Sequence, residues 1–341
     1  MAEAPTMKAW QYSSTAGGLE NNLTLNPSAP QPNSYDLAKD QILVEVLSMS
    51  LNPVDYKLPE TPVLSRLLLS YPAVPGLDYC GKVVKTPRGN DSLAIGDIVF
   101  GRHGMPTQFG TLGQYIVAQR EGCVLVPKGV DVDSAAAIGT AGITAFQSVV
   151  PNVTKGSKVF INGGSGGCGT WCIQIAKTLG CHVTASCSTP NVELCKELGA
   201  DDVIDYKTTD VAYALSSQGA VFDLLVDNVG TPKDLYDKSE HFLKPSGKYV
   251  EVAGDPGPGE VPGLMKKYLL PSFLGGGSRS FQKLMVGNKH SDFVRLGKWV
   301  QEGKMKPLID STYPYEDAPK AFEKLRSRRA KGNIIVHVMK E

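Results

Sequence analysis

Gly164, Gly166 and Gly169 stand in the spacing G-x-G-x-x-G within Gly164-Ser165-Gly166-Gly167-Cys168-Gly169. An apolar run, Lys158 to Ile161, leads into these glycines, and a helical pattern leads out of them. Bare backbone at that spacing, between a strand and a helix, suits the binding of a pyrophosphate. Gly164 is expected to permit the tight turn, Gly166 to let the backbone approach the anion, and Gly169 to let helix and strand pack closely. The N–H groups of the helix's first turn then face the anion, aided by a dipole equivalent to about half a positive charge.

The flanking elements decide whether this motif is more than a glycine-rich turn. Trp171, Ile175 and Leu179 recur at helical spacing, Cys172 and Ala176 widen the stripe, and Gly180 follows as a stop. The pattern predicts a helix over Thr170 to Leu179, a strand over His182 to Cys187, a helix over Val192 to Leu198 and a strand over Asp202 to Asp205. Two more apolar strands are expected in 222–230 and 247–254. Strands alternating with helices predict an α/β fold, a doubly wound parallel sheet that binds a dinucleotide. In such sheets ligands bind at the carboxyl ends of strands, which places Asn228, Val229, Gly230, Ala253 and Gly254 among the candidate contacts.

NAD sites carry an acid at the end of the second strand, about 20 residues past the glycines, to bind the ribose 2′-hydroxyl. Ser188 stands there instead, and the first acid beyond it is Glu193. Ser188 and Thr189 can donate to a 2′-phosphate that a carboxylate would repel, and Tyr206 and Lys207 end the neighbouring strand. NADP(H) is therefore the expected cofactor. Ser188 and Asn191 also suit a helix cap, a role compatible with the first.

The 341 residues, 42% hydrophobic, suffice for one large core or two ordinary domains. A net charge of +1 points to neither nucleic acid nor an acidic membrane surface as partner. The basic run Arg326, Arg328, Arg329 and Lys331 reads as a solvated helix face. Seven cysteines, widely spread and without a C-x-x-C pair, fit buried thiols in a reducing compartment. The opening MAEAPTMKAW has neither a basic n-region nor an apolar h-region, so it does not read as a secretory signal. No segment approaches the ~20 apolar residues of a membrane span. A cytoplasmic protein is expected, with peripheral membrane association left open.

Residues 1–128 carry short alternating runs (QILVEVLSMS, GKVVKT, GDIVFG, GQYIVA) broken by Gly and Pro, a β-barrel pattern, and the tail after 305 returns to it with KGNIIVHVMK. The glycine-rich sheet is thus expected as an insertion, residues 129–304, between 1–128 and 305–341. The order LNPVDYK (51–57), PAVPGLDYCGKVV (72–84), LAIGDIVFG (93–101), AAAIGTAGITAFQ (135–147), NGGSGGCGT (162–170), LGADDVIDYK (198–207) and KGNIIV (331–336) resembles the medium-chain dehydrogenase/reductase superfamily over nearly the whole chain. Within it the chain is most similar to zinc-free quinone oxidoreductases, near the chloroplast-envelope quinone oxidoreductase homologues and the fungal trans-acting enoyl reductases.

This resemblance implies a discontinuous GroES-like catalytic domain around a Rossmann domain. At the place of the first ligand of the superfamily's catalytic zinc the chain reads Asn52-Pro53-Val54-Asp55, and Gly76-Leu77-Asp78 replaces Gly-His-Glu. The cysteine cluster of the structural zinc is missing, and His103 alone reads as a loop histidine, so no metal is expected. By resemblance, Asn52 sits by the nicotinamide and its ribose, Lys57 lies near the cofactor and Thr140 contacts the nicotinamide end. Lys331, Gly332 and Asn333 are likewise carried over to the cofactor site. Asn52, Lys57 and Tyr56 are the candidate donors for a developing oxyanion. Asp55 and Tyr56 equally suit the barrel's own hydrogen bonds, and Lys57 suits either substrate or a cofactor phosphate.

Without a metal, hydride transfer from NADPH to an α,β-unsaturated carbonyl or a quinone is the expected reaction. The alternatives are a trans-acting enoyl reductase of a polyketide pathway and a cofactor-binding protein with little catalysis. The apolar segments 58–72 and 261–281 are expected to line a substrate cleft and a homodimer surface.

Overall fold

The computed structural model describes residues 5–87, 92–254 and 278–339, the side chains of 62–64 apart. The chain divides into two compact units, Met1–Ile143 with Gly287–Glu341, and Thr144–Val286.

The first unit opens with an antiparallel ribbon of β1 (Thr6–Gln11) and β2 (Thr24–Pro30). Next come β3 (Gln41–Leu51), β4 (Asp78–Lys85), β5 (Ile98–Arg102), β6 (Tyr115–Gln119) and β7 (Cys123–Leu125). β3 is the hub: its β-branched and apolar residues Ile42, Val44, Val46 and Met49 are fully buried. It pairs antiparallel with both β4 and β6. Each alternating run read from the sequence in this region is a strand here.

The second unit holds β8 (Lys158–Asn162), β9 (His182–Cys187), β10 (Asp202–Asp205), β11 (Phe222–Asp227), β12 (Leu243–Glu251) and β13 (Ser280–Lys283). All five pairings are parallel, in the order β10-β9-β8-β11-β12-β13. Numbered from β8, this is the 3-2-1-4-5-6 order of the Rossmann sheet, whose direction reverses between β8 and β11. Val159, Phe160 and Ile161 of β8 and Leu224, Leu225 and Val226 of β11 are all fully buried, as strands covered on both faces must be. β13 is a sixth strand that no pattern announced. Most of the apolar segment 261–281 expected at a cleft or dimer surface, residues 261–277, lies outside the described residues.

The chain then returns to the first unit. β14 (Ile309–Pro314) and β15 (Asn333–His337) extend its sheet, with β15 antiparallel to β3. Residues 129–143 and 287–304, read from the sequence as part of the inserted domain, pack within this first unit. The helix His290–Gln301 sets Phe293 edge-on to Phe100 at 6.3 Å, and Gln301 Nε2 donates to the Lys128 carbonyl at 3.1 Å. Asp133 accepts from Ser48 Oγ at 2.7 Å. Among the described residues no helix is long and apolar enough to cross a membrane.

Candidate active site

In the first unit, β3 runs into Asn52-Pro53 and a single helical turn, Val54–Lys57. This places Asn52, 6% exposed, beside the start of β4, where Asp78 is fully buried. Asp78 gathers three donors. Asn52 Nδ2 and Thr140 N donate to its Oδ2, each at 2.7 Å, and Thr140 Oγ1 donates to its Oδ1 at 2.6 Å. Gly139 makes the approach possible: a Cβ there would lie 2.2 Å from Asp78 Cγ.

Arg102 faces Asp78 across the β4–β5 ladder and is buried with it. Burial nevertheless dominates and pushes the Asp78 carboxyl up to about 6, although the donors from Thr140, the Arg102 charge and the Asn52 donor pull the other way. Asp55, 2% exposed, is held well above the usual carboxylate range by burial and by the Asp78 charge. Burial also lowers the Arg102 guanidinium. Burial and the Arg102 charge take His103 down to about 4, leaving it neutral near pH 7.

These contacts revise the donor role read from the sequence for Asn52 and show how Tyr56 is packed. Both N–H groups of the Asn52 amide are engaged, one by Asp78 and one by the Ser50 carbonyl at 3.2 Å. Asn52 can therefore offer a ligand only its Oδ1, an acceptor, and not the oxyanion donor expected of it. Tyr56 is 6% exposed within the core cluster, with the Arg326 guanidinium carbon 4.4 Å from its ring centroid. Arg326 in turn pairs with Glu20 and Glu60, so Tyr56 is part of a packed corner of the barrel. Lys57 closes the short helix, half-buried.

Asn333 is also inward, donating to Ser50 Oγ at 3.1 Å and to the Ala137 carbonyl at 3.4 Å. Lys331 N donates to Asp310 Oδ1 at 2.7 Å, and a Cβ on Gly332 would strike the Leu308 carbonyl oxygen at 2.3 Å. The backbone contacts of Lys331 and Gly332 tie this segment to 308–310, and the side chain of Asn333 braces β3.

In the second unit the glycines sit at the reversal between β8 and β11. The helix runs Gly167–Thr178, three residues earlier than the hydrophobic stripe suggests, with Gly166 as an N-cap that supplies no side-chain cap. The first intrahelical bond in this turn runs from Thr170 N to Gly166 O. The N–H groups of Gly167, Cys168 and Gly169 precede it and are the ones helix geometry leaves for a ligand. The left-handed residue of the turn is Gly163, at φ +79, rather than Gly164. A Cβ on Gly164 would lie 2.9 Å from the Ala185 methyl, and one on Gly169 would lie 2.1 Å from the Gly163 carbonyl oxygen. A Cβ on Gly166 would meet only that oxygen, at 3.7 Å. Gly164 and Gly169 thus serve close packing, and Gly166 borders open space, the cradle that a pyrophosphate would fill.

A buried network holds the rim of this cradle. Ser186 Oγ donates to Asn162 Oδ1 at 2.7 Å and accepts from Gly163 N at 3.0 Å. Asn162 Nδ2 donates to Asp227 Oδ1 at 2.8 Å. The same oxygen takes Val229 N at 3.0 Å and Gly230 N at 2.9 Å, and Tyr249 OH donates to Asp227 Oδ2 at 2.7 Å. Ala253 N donates to the Asp227 carbonyl at 3.1 Å, and Gly254 follows at φ +146. Asn228 donates to the Asn162 carbonyl, and its Oδ1 is buried with no partner among the described residues, an acceptor that a ligand hydroxyl or amide would satisfy.

At the end of β9, Asn191 Nδ2 bridges Ser165 Oγ at 3.0 Å and Ser188 Oγ at 3.2 Å, tying this corner to the glycine turn. Thr189 is drawn to Asp205, whose carboxyl it holds below the usual range. Tyr206 is half exposed, with Lys207 Nζ 5.5 Å from its ring centroid. Ser188, Tyr206 and Lys207 therefore remain as candidate contacts for a 2′-phosphate.

A Rossmann sheet with a glycine cradle, and a companion unit carrying a buried Asn–Asp–Thr knot, define a dinucleotide-dependent oxidoreductase. The alcohol dehydrogenase GroES-like domain family matches residues 38–128, and the zinc-binding dehydrogenase family matches 198–336. A trans-enoyl reductase of Aspergillus terreus is 47% identical over 98% of this chain and 96% of its own length. The chloroplast envelope quinone oxidoreductase homolog of Arabidopsis thaliana is 30% identical over 97% and 98%. The quinone oxidoreductase structure from Coxiella burnetii superposes with a TM-score of 0.84 at 29% identity, covering 98% of this chain and 99% of that one. The chain belongs to the medium-chain dehydrogenase/reductase superfamily.

The donor set at the place of that superfamily's catalytic zinc does not suit the metal. Leu77 is apolar and 1% exposed, both Asp78 oxygens are taken, and the Arg102 guanidinium faces the same carboxylates. Among the described residues no three His, Cys, Asp or Glu side chains are grouped to hold a metal ion.

Proposed function

We propose that the chain is an NADPH-dependent, metal-independent reductase of α,β-unsaturated carbonyl compounds or quinones. The observation that supports this reading best is the knot at Asp78, where three hydrogen bonds take up both carboxyl oxygens of a residue that the resemblance aligns with the Gly-His-Glu motif of zinc dehydrogenases. Bound NADPH would supply the hydride. Hydride addition to an enone β-carbon or a quinone leaves the negative charge on a remote oxygen, which a donor or a nearby cation can stabilise without a Lewis acid. Lys57 is the cation of the motif. Asn52, through Oδ1, and Thr140, through its hydroxyl lone pairs, accept from the nicotinamide end. The N–H groups of Gly167, Cys168 and Gly169 take the pyrophosphate, and Ser188, Tyr206 and Lys207 favour a 2′-phosphate over a bare hydroxyl.

NADPH oxidation measured against quinones, short enones and acyl thioesters, with NADH in parallel, tests the reading. Turnover of none of them, or equal use of the two cofactors, contradicts it. The 47% identity to a trans-enoyl reductase favours a second reading, in which the double bond is presented on an acyl thioester carried by another protein. Faster turnover of carrier-bound than of free thioesters would select it. Seven free thiols suit a reducing, cytoplasmic setting, and a homodimer formed through the nucleotide-binding unit belongs to the same reading.

A further inference from the structure

Asn191 stands at the start of the helix Val192–Glu197, and Ser188 at the start of the short turn Thr189–Asn191, yet neither side chain makes a capping hydrogen bond. The cap role read for both from the sequence is therefore not the one they fill. The Asn191 amide faces the other way. Its Nδ2 donates to Ser165 Oγ, in the glycine turn, at 3.0 Å and to Ser188 Oγ, just past the end of β9, at 3.2 Å. Its Oδ1 has no hydrogen-bond partner among the described residues. The two serine hydroxyls alone thus decide which end of the amide is turned towards them.

A hydroxyl has one proton to give. With both oxygens accepting from Asn191, the protons of Ser165 and Ser188 are left over, and among the described residues neither goes to a protein acceptor. Both serines are half-buried, and β8 and β9 are parallel neighbours, so the two hydroxyls border one corner at the carboxyl ends of these strands. That corner is where a Rossmann sheet takes the adenosine ribose and its 2′ substituent. A 2′-phosphate accepts hydrogen bonds and needs donors, whereas a bare 2′-hydroxyl also gives a proton and can be met by an acceptor. Were the amide reversed, Oδ1 would take both serine protons and leave the ligand only lone pairs. The observed orientation is the one that suits a phosphate, and an N–H donating to a hydroxyl strengthens that hydroxyl as a donor in turn. We infer that Asn191 is a specificity-determining positioning residue, holding Ser165 and Ser188 as paired donors to the cofactor's 2′-phosphate. This rests on the NADPH reading and deepens it.

Fluorescence titrations of NADPH and NADH test this in the parent protein, in Asn191→Ala, in the pair Ser165→Ala with Ser188→Ala, and in all three combined. Asn191→Ala should weaken NADPH about tenfold and leave NADH within about twofold of the parent. In the background without the two hydroxyls the same substitution should change NADPH binding by less than about twofold, because nothing is left for the amide to orient. A residue that served only the start of the helix would weaken both cofactors alike, or weaken NADPH by the same factor in both backgrounds. Either result overturns the inference. If Asn191→Ala does not fold, Asn191→Ser takes its place under the same criteria: serine also starts helices, but its single proton reaches at most one of the two oxygens. A parent protein that prefers NADPH, with the preference intact in the Asn191 variant, overturns the inference alone. A parent protein that binds NADPH and NADH equally contradicts the NADPH reading itself, and the inference falls with it.

Discussion

Asn162 Nδ2 donates to Asp227 Oδ1 at 2.8 Å, joining the ends of β8 and β11 where the sheet reverses direction. Through that bond the glycine turn and the Asn228–Gly230 turn share one buried anchor. Asp227→Ala should take the acceptor from Val229 N, Gly230 N and Tyr249 OH and leave Asn162 Nδ2 only the Thr231 carbonyl. The expected loss is about 3 kcal/mol of stability, from urea unfolding, with NADPH binding weakened more than tenfold. Unfolding unchanged within about 0.5 kcal/mol would show that the network is dispensable.

Gly166 and Gly169 should respond differently to valine. At Gly166 a Cβ meets nothing closer than 3.7 Å, so Gly166→Val should melt near the parent temperature yet fail to bind NADPH. At Gly169 a Cβ would sit 2.1 Å from the Gly163 carbonyl oxygen, so Gly169→Val should be destabilised outright. Thermal melts beside fluorescence titrations of NADPH distinguish them.

Ser188→Asp should narrow or reverse the preference for NADPH over NADH through repulsion of the 2′-phosphate. The check is the ratio of dissociation constants for the two cofactors. A parent protein that binds both equally leaves no preference to reverse.

Asp78, raised to about 6 from 3.8, imposes opposite trends on stability and activity. Between about pH 4 and 6 the folded state holds a proton that the unfolded state has released, so stability from this group falls as pH rises through that window. Activity should rise over the same window, because the ionised carboxylate is what Asn52 and Thr140 donate to. Asp78→Asn should flatten the stability trend and lower kcat. A parent protein whose melting temperature and rate rise together across pH 4–6 would speak against this assignment.

Lys57→Ala should lower kcat and kcat/KM together by about 10²-fold if the ammonium stabilises the enolate oxygen. If it holds a cofactor phosphate, the loss should appear in NADPH affinity and shrink as salt rises. Single-turnover rates at saturating NADPH, with titrations at two ionic strengths, separate these outcomes. Unaltered rate and affinity would make Lys57 a bystander.

Patterns that repeat along the chain were legible before the fold was known. The alternation of strand and helix follows from local periodicity: the 202–205 strand lies where the sequence places it, and the helix after the glycines begins three residues earlier than its apolar stripe. The site's polar chemistry was not legible in this way. Asn52, Asp78 and Thr140 meet across separations of 26 and 62 residues, and no periodicity links them. Asp227 and Asn162 are 65 apart and read individually as strand ends. The one local clue was G-T-A-G at 139–142, whose first glycine gives Asp78 room to reach Thr140. Residue type alone does not say which half of the Asn52 amide the chain has already used, and both of its N–H groups are engaged. The packing of Tyr56 was not legible because Arg326, whose guanidinium carbon lies 4.4 Å from its ring centroid, stands at the far end of the chain.

The most direct test of the central claim is NADPH oxidation by chelator-treated protein of measured metal content, with quinones, enones and acyl thioesters as acceptors. The expected result is turnover of at least one acceptor class at undiminished rate without metal, with NADPH preferred over NADH by at least about tenfold in kcat/KM, a difference of about 1.4 kcal/mol. Activity that vanishes with the chelator and returns with stoichiometric zinc, or no turnover of any acceptor, would contradict it.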